Sequence, residues 1–254
     1  MDFSENYQCK YNREIQSAHF GGAKPQISLH TVVWYYKSEN GEIKRNSFCS
    51  LSENTRHDHI GIFAYLQPLF QQISEKLINI NKVHFLSDEP TTQYRNKNMI
   101  FVFAFKFVDI LKPSIMTWNF SEADHGKRAP DSIVEQVSNR CYGIQLQVVT
   151  EDSFQKIESE CSVPNDLKAF KGNMSIHQIT WNSNKSNTVL FKTLSCLYCT
   201  SSEICSHYHL DEMVVPIRSE RIRYSEIYSS SFDKGSSFTD EKSYKRNSRL
   251  RCSG

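Results

Sequence analysis

No run of about 18 uncharged apolar residues occurs, the length a membrane-spanning helix needs. The longest apolar stretch, Met99 to Phe105, is closed by Lys106. A basic leader is also missing, because Asp2 and Glu5 stand where a secretory signal carries positive charge. Nor is there a large charge of either sign: 30 Lys and Arg against 28 Asp and Glu leave +2, so charge alone points to no nucleic-acid or membrane partner. No internal repeat is evident, which argues against solenoids and propellers, and no helix-turn-helix or other base-reading module is apparent. Without an export signal the eight cysteines are expected to stay reduced rather than to form a disulfide framework.

What is present suffices for a core. Of the 254 residues, 39% are hydrophobic and 12% aromatic, enough for one large domain with a small appendage. Asp2 lies in what reads as a first strand. A sheet that starts without a lead-in suggests that Met1 was once internal and that upstream sequence is missing.

Along the chain, Gln26–Tyr36 is β-branched and aromatic with Ile27, Leu29, Thr31 and Val33 alternating, a strand pattern. Asn40-Gly41 is a hairpin turn signal, followed by a partner strand from about Ile43 to Leu51. Ile60, Phe63, Ala64, Leu66, Leu69, Phe70, Ile73 and Leu77 recur at helical spacing, with Pro68 a candidate kink. Lys82–Asp88 is a short strand ending in an acid, residues 92–111 a helix, and Ile115–Phe120 another strand. Pro130-Asp131 starts a further helix. Beyond about residue 150 the pattern weakens to two strands, Ile176–Trp181 and Val189–Leu194, and after Tyr228 to a Ser-, Lys- and Arg-rich tail expected to be disordered.

Strand, hairpin, helix, strand, helix, strand, helix is a mixed α/β order, and it matches the order of elements in the ribonuclease H fold. The expected architecture is a ribonuclease-H-like mixed five-stranded sheet flanked by helices, over residues 1–150. A small β-rich region would follow over 151–227, and a basic tail over 228–254.

Acids fall at the ends of these elements. Asp2 is in the first strand, Asp88 ends the fourth, and Glu122 and Asp131 flank the turn after the fifth. If the first and fourth strands are neighbours, Asp2 and Asp88 lie side by side, which is unfavourable unless a cation sits between them. Carboxylate oxygens suit Mg²⁺, and two such ions can activate a water or a 3′-hydroxyl on a phosphodiester. The plain alternative is that each acid is a cap or a solvated side chain.

The local sequences narrow the choice. Asp2-Phe3-Ser4-Glu5-Asn6-Tyr7, then Ser87-Asp88-Glu89-Pro90-Thr91-Thr92-Gln93-Tyr94-Arg95-Asn96-Lys97, then Thr117-Trp118-Asn119-Phe120 with His125-Gly126-Lys127, resemble the catalytic blocks of transposase-like proteins found in many copies in animal genomes. The resemblance covers about residues 1–145 and rests on the ordered set of blocks. It implies metal-dependent hydrolysis and strand transfer of DNA, with Asp2 and Asp88 as the first and second acids on Mg²⁺ or Mn²⁺. Asp131 is the preferred third acid, with Glu122 as its rival. His125, Lys127, Gln93 and Arg95 become candidate DNA contacts, against the alternative that they cap helices or face solvent. DNA is the partner implied, with room for a homo-oligomer and none for a membrane. The chain departs from the pattern: similar proteins usually carry glycine where Glu89 and Arg128 stand, and Ser132–Gln136 lacks glycine too. A non-catalytic nucleic-acid- or protein-binding remnant is therefore the alternative.

Two further features stand apart. Cys196-x-x-Cys199, followed by Cys205, His207 and His209, offers thiolate and imidazole donors for zinc, the preferred set being Cys196, Cys199, Cys205 and His207. Cys9, Cys49, Cys141, Cys161 and Cys252 are scattered and read as structural. Lys242, Lys245, Arg246, Arg249 and Arg251 make the tail a candidate for nuclear import or nonspecific nucleic-acid binding, or simply a solvated segment.

Overall fold

The computed structural model describes residues 1–3, 7–8, 26–88, 93–121, 143–196 and 207–215. Met1–Pro216 forms one unit, and the second unit, Ile217–Gly254, lies outside the described residues together with the basic tail.

The architecture is mixed α/β, with two mixed sheets. In the first, the strands are β1 (Asp2–Phe3), β2 (Tyr7–Gln8), β3 (Gln26–Lys37), β4 (Ile43–Ser52) and, out of sequence, β7 (Ile144–Val148). β3 and β4 form the long hairpin. Its turn closes through Gly41 N to Ser38 O at 2.8 Å, with Gly41 at φ 80, a left-handed conformation that glycine adopts without strain. β1 pairs antiparallel with β3, and β7 pairs parallel with β4.

The second sheet has the order β10-β9-β8-β6-β5. Its strands are β5 (Lys82–Ser87), β6 (Ile115–Phe120), β8 (Gln178–Asn182), β9 (Thr188–Lys192) and β10 (His209–Val214). β5 and β6 are parallel, so they need a helical crossover. α2 (Lys97–Val102), a π-helical turn (Phe103–Phe107) and α3 (Val108–Leu111) supply it. Where a plain helix was expected over 92–111, its middle is π-helical and Asn96 caps its start.

α1 (His59–Lys76) begins at Asp58, whose carboxylate accepts from Ile60 N and Gly61 N at 3.1 and 3.0 Å. A Cβ at Gly61 would run into the Arg56 carbonyl oxygen, so the chain passes there only with glycine. Every residue from Ile60 to Leu66 is buried. A helix apolar all round is one covered on more than one side, and α1 packs on β4, on α2 and α3, and on α4 (Glu151–Glu160).

The main core is aromatic. Trp118 is fully buried among Phe85, Tyr94, Phe103, Phe107 and Phe120, with ring centroids 5.6–5.9 Å away. Leu29 and Cys49 form a second, smaller core with Ile27, Val33, Leu51 and Ile144.

A division at residue 150 is not seen among the described residues. β8 pairs antiparallel with β6, and Ser52 Oγ donates to Val149 O at 2.8 Å. Strands expected in an appendage therefore complete the same sheet as β5 and β6. The helix expected from Pro130-Asp131 lies outside the described residues.

Candidate metal-binding acidic site

The site starts with Phe3, which anchors β1. Its ring stacks on His57 at 4.1 Å, meets His30 at 4.6 Å and Tyr65 at 5.3 Å edge-on, and lies 6.3 Å from Tyr94. Asp2, the neighbouring residue, is paired with Thr31, whose hydroxyl donates to the Asp2 carbonyl at 3.3 Å. Just before β1, Met1 N donates to Leu86 O of β5 at 2.9 Å.

Asp88 is the first residue past β5. Ser121, just past β6, has its hydroxyl 3.1 Å from Ser87 O and 3.3 Å from Asp88 Oδ1, and donates its N–H to Ser87 O at 3.1 Å. Ser87 is held in turn by the Trp118 indole N–H at 2.9 Å and donates to the Asp88 carbonyl at 3.0 Å. Asp88 thus sits at the carboxyl ends of two parallel strands, the end where open α/β sheets present ligand sites.

Tyr94 lies behind the acids. It is fully buried, and its hydroxyl lies 3.2 Å from His30 Nε2. Burial raises its phenol well above the ordinary range, and the negative charges of Asp2 and Asp88 raise it further. Burial also pushes the His30 imidazole well below its usual range, and the Cys49 thiol up to about 11.

The remaining candidates divide. Gln93 is half-buried in the turn before α2. Arg95 is turned inward: it is 1% exposed, and its guanidinium donates to the carbonyls of Met174 and Ile176, each at 3.1 Å. A contact from Arg95 to DNA backbone is not offered by this arrangement, because main-chain acceptors use the head group. Glu122, His125, Lys127, Asp131, Cys199 and Cys205 lie outside the described residues. Of the scattered cysteines, Cys49 and Cys161 are buried and outside any disulfide, while Cys9, Cys141 and Cys252 lie outside the described residues. Among the described residues no group of three or more His, Cys, Asp or Glu comes together.

Sequence reasoning assigned no role to Tyr94, His30 or Ser121. Tyr94 stands within the block around Asp88, and that was the only signal available. Its burial comes from Phe3 and Trp118, which are distant in sequence.

Residues 1–189 match the family described as a domain of unknown function, DUF8701. The chain belongs to that family. Both acids, Tyr94 and the whole of β1–β8 fall within the matched range. No curated protein and no solved structure matches the chain.

Proposed function

We propose that this chain is a transposase-derived DNA-processing core with a ribonuclease-H-like arrangement, holding Mg²⁺ or Mn²⁺ through Asp2 and Asp88. The fold part of the reading is supported by β1, which pairs with β3 and is bonded to β5 through Met1 N and Leu86 O. That contact brings the β1 end of the first sheet to the β5 edge of the second, the neighbourhood a ribonuclease-H-like arrangement would need.

The observation that carries the chemical part is the place of Asp88 at the carboxyl ends of the parallel strands β5 and β6, with the end of β1, which bears Asp2, bonded to β5 through Met1 N. Carboxylate oxygens of Asp2 and Asp88 would be hard donors of the kind that suits a small divalent cation. Asp131 or Glu122 would complete it. Bound metal would activate a water or a 3′-hydroxyl and stabilise the leaving oxygen of a phosphodiester. The protein's own part is to fix the acids: Phe3 anchors β1 and Ser121 orients Asp88. Gln93, His125 and Lys127 are the candidate DNA contacts, DNA is the partner, and the basic tail suits a nuclear protein.

The test is Mn²⁺ binding by isothermal titration, with wild type beside Asp88→Asn. Saturable binding that the substitution abolishes supports the site and makes DNA cleavage assays worthwhile. No binding by folded wild type sinks the catalytic reading. It selects instead a non-catalytic nucleic-acid- or protein-binding remnant, which Glu89 and Arg128 at glycine positions favour.

A further inference from the structure

The first sheet ends at β7 and the second at β10, and the two edges are finished differently. β10 carries the exposed acids Asp211 and Glu212 and a register shift between His209 and Asp211, both of which discourage a further strand. β7 has neither. Its residues, Ile144-Gln145-Leu146-Gln147-Val148, include no charge, no proline and no glycine, and its pairing with β4 runs in unbroken register. Leu146 is 42% and Val148 64% exposed. Among the described residues no strand lies on the outer side of β7.

β4 fixes the directions of the main-chain groups along β7. Val149 N donates to Leu51 O at 2.8 Å, so the odd-numbered residues turn their N–H and C=O groups toward β4. Ile144, Leu146 and Val148 therefore turn theirs away from it. The side chains of these three share one face, where Ile144 packs on the small core of Leu29 and Cys49. Gln145 and Gln147 take the other face. Gln147 Nε2 donates to Val148 O at 3.0 Å, which leaves that carbonyl a second lone pair.

By residue class the strand reads the same in both directions. A second copy laid antiparallel about a two-fold axis at Leu146 would set Leu146 against itself and Ile144 against Val148. These are the residues whose main-chain groups point outward, so each opposed pair exchanges both of its hydrogen bonds. Apolar side chains then meet on one face, and the glutamine amides meet on the other. Charge separates the two edges as well. A two-fold sets a strand against its own copy, so charges of one sign repel across it. β7 has none to repel, whereas β10 would bring acids together.

We infer that β7 is the seam of a homodimer, in which the first sheets of two chains join antiparallel, edge to edge, across a two-fold axis at Leu146. Joining in this way uses up both edges and stops at two chains. The contact is short, so the dimer is reversible and concentration-dependent.

The test is sedimentation velocity of the full reduced chain over a range of concentrations. Wild type is expected to move from monomer toward dimer as concentration rises. Leu146→Lys sets two ammonium groups face to face on the axis and is expected to stay monomeric. Leu146 is exposed in the single chain, so the variant should fold, which circular dichroism checks. In case it does not, Leu146→Cys is oxidised. Opposed residues of a hydrogen-bonded pair stand about 5.5 Å apart at Cα, within disulfide reach. Leu146→Cys should therefore crosslink into dimers well beyond wild type and beyond Gln145→Cys, whose own copy lies off the axis. Monomeric wild type at every concentration overturns the proposal and leaves the edge to a strand from another protein. A dimer that a folded Leu146→Lys keeps overturns it, and so does equal crosslinking in the two cysteine variants. Growth beyond two chains overturns the closed two-fold.

Discussion

The Tyr94 hydroxyl and His30 Nε2 meet at 3.2 Å with neither side chain reaching solvent. The two groups are perturbed in opposite directions, the imidazole downward by burial and the phenol upward by burial and the two nearby acids. Each stays neutral in the folded chain where it would ionise in the unfolded one.

Stability is therefore expected to peak on a plateau. Below about pH 6.5 the unfolded His30 takes up a proton that the folded one refuses, so stability falls with falling pH, by about 1.4 kcal/mol per unit at most from this one group. His57, His59 and His84, also pushed down chiefly by burial, steepen the same flank. Above about pH 10 the unfolded Tyr94 loses a proton that the folded one keeps, so stability falls again. Urea midpoints across pH, with His30→Gln and Tyr94→Phe beside wild type, check this. Unchanged acid and alkaline flanks in the two variants would reject the pair as their source.

Arg95 is expected to matter for folding and not for binding. Arg95→Met leaves two main-chain carbonyls, of Met174 and Ile176, without their donor. The loss should be about 2–4 kcal/mol. Arg95→Lys should recover little, because an ammonium lacks the planar fork. Chemical denaturation measures the cost. A folded, equally stable Arg95→Lys with weakened DNA binding would show that the head group faces outward after all.

Ser121→Ala tests the support of the acidic site. The hydroxyl is shared between Asp88 and the Ser87 carbonyl at the end of β6, so its removal should weaken Mn²⁺ binding by up to about tenfold while the unfolding midpoint stays put. Titration calorimetry and thermal unfolding on the same samples separate the two effects. Equal affinity in both proteins would make the Ser121–Asp88 bond incidental.

Local signals in the sequence read well where one segment decides its own shape. Asn40-Gly41 turns the hairpin, and Ile115–Phe120 forms its strand with the expected bounds. β8 and β9 appear within two residues of where alternation starts and stops them. Partnership between distant segments was not legible. β6 finds β8 across a long separation, and nothing in either strand announces it. β7 alternates Ile-Gln-Leu-Gln-Val over only five residues with Leu146 and Val148 exposed, and β10 carries Asp211 and Glu212 side by side, which breaks its alternation. Arg95 looks like a surface cation by residue type. It is buried because its acceptors come from residues 79 and 81 positions further on.

The parallel pairing of β4 with β7 also bears on how the chain is made. β4 is complete at Ser52, yet the main-chain partner of its outer edge, reaching Val149, arrives 97 residues later. A ribosome adding about 5–20 residues per second leaves that edge uncovered for several seconds. An open strand edge of this kind is a template for joining other chains. Production of this protein should therefore gain from chaperones, which shield the edge until β7 emerges.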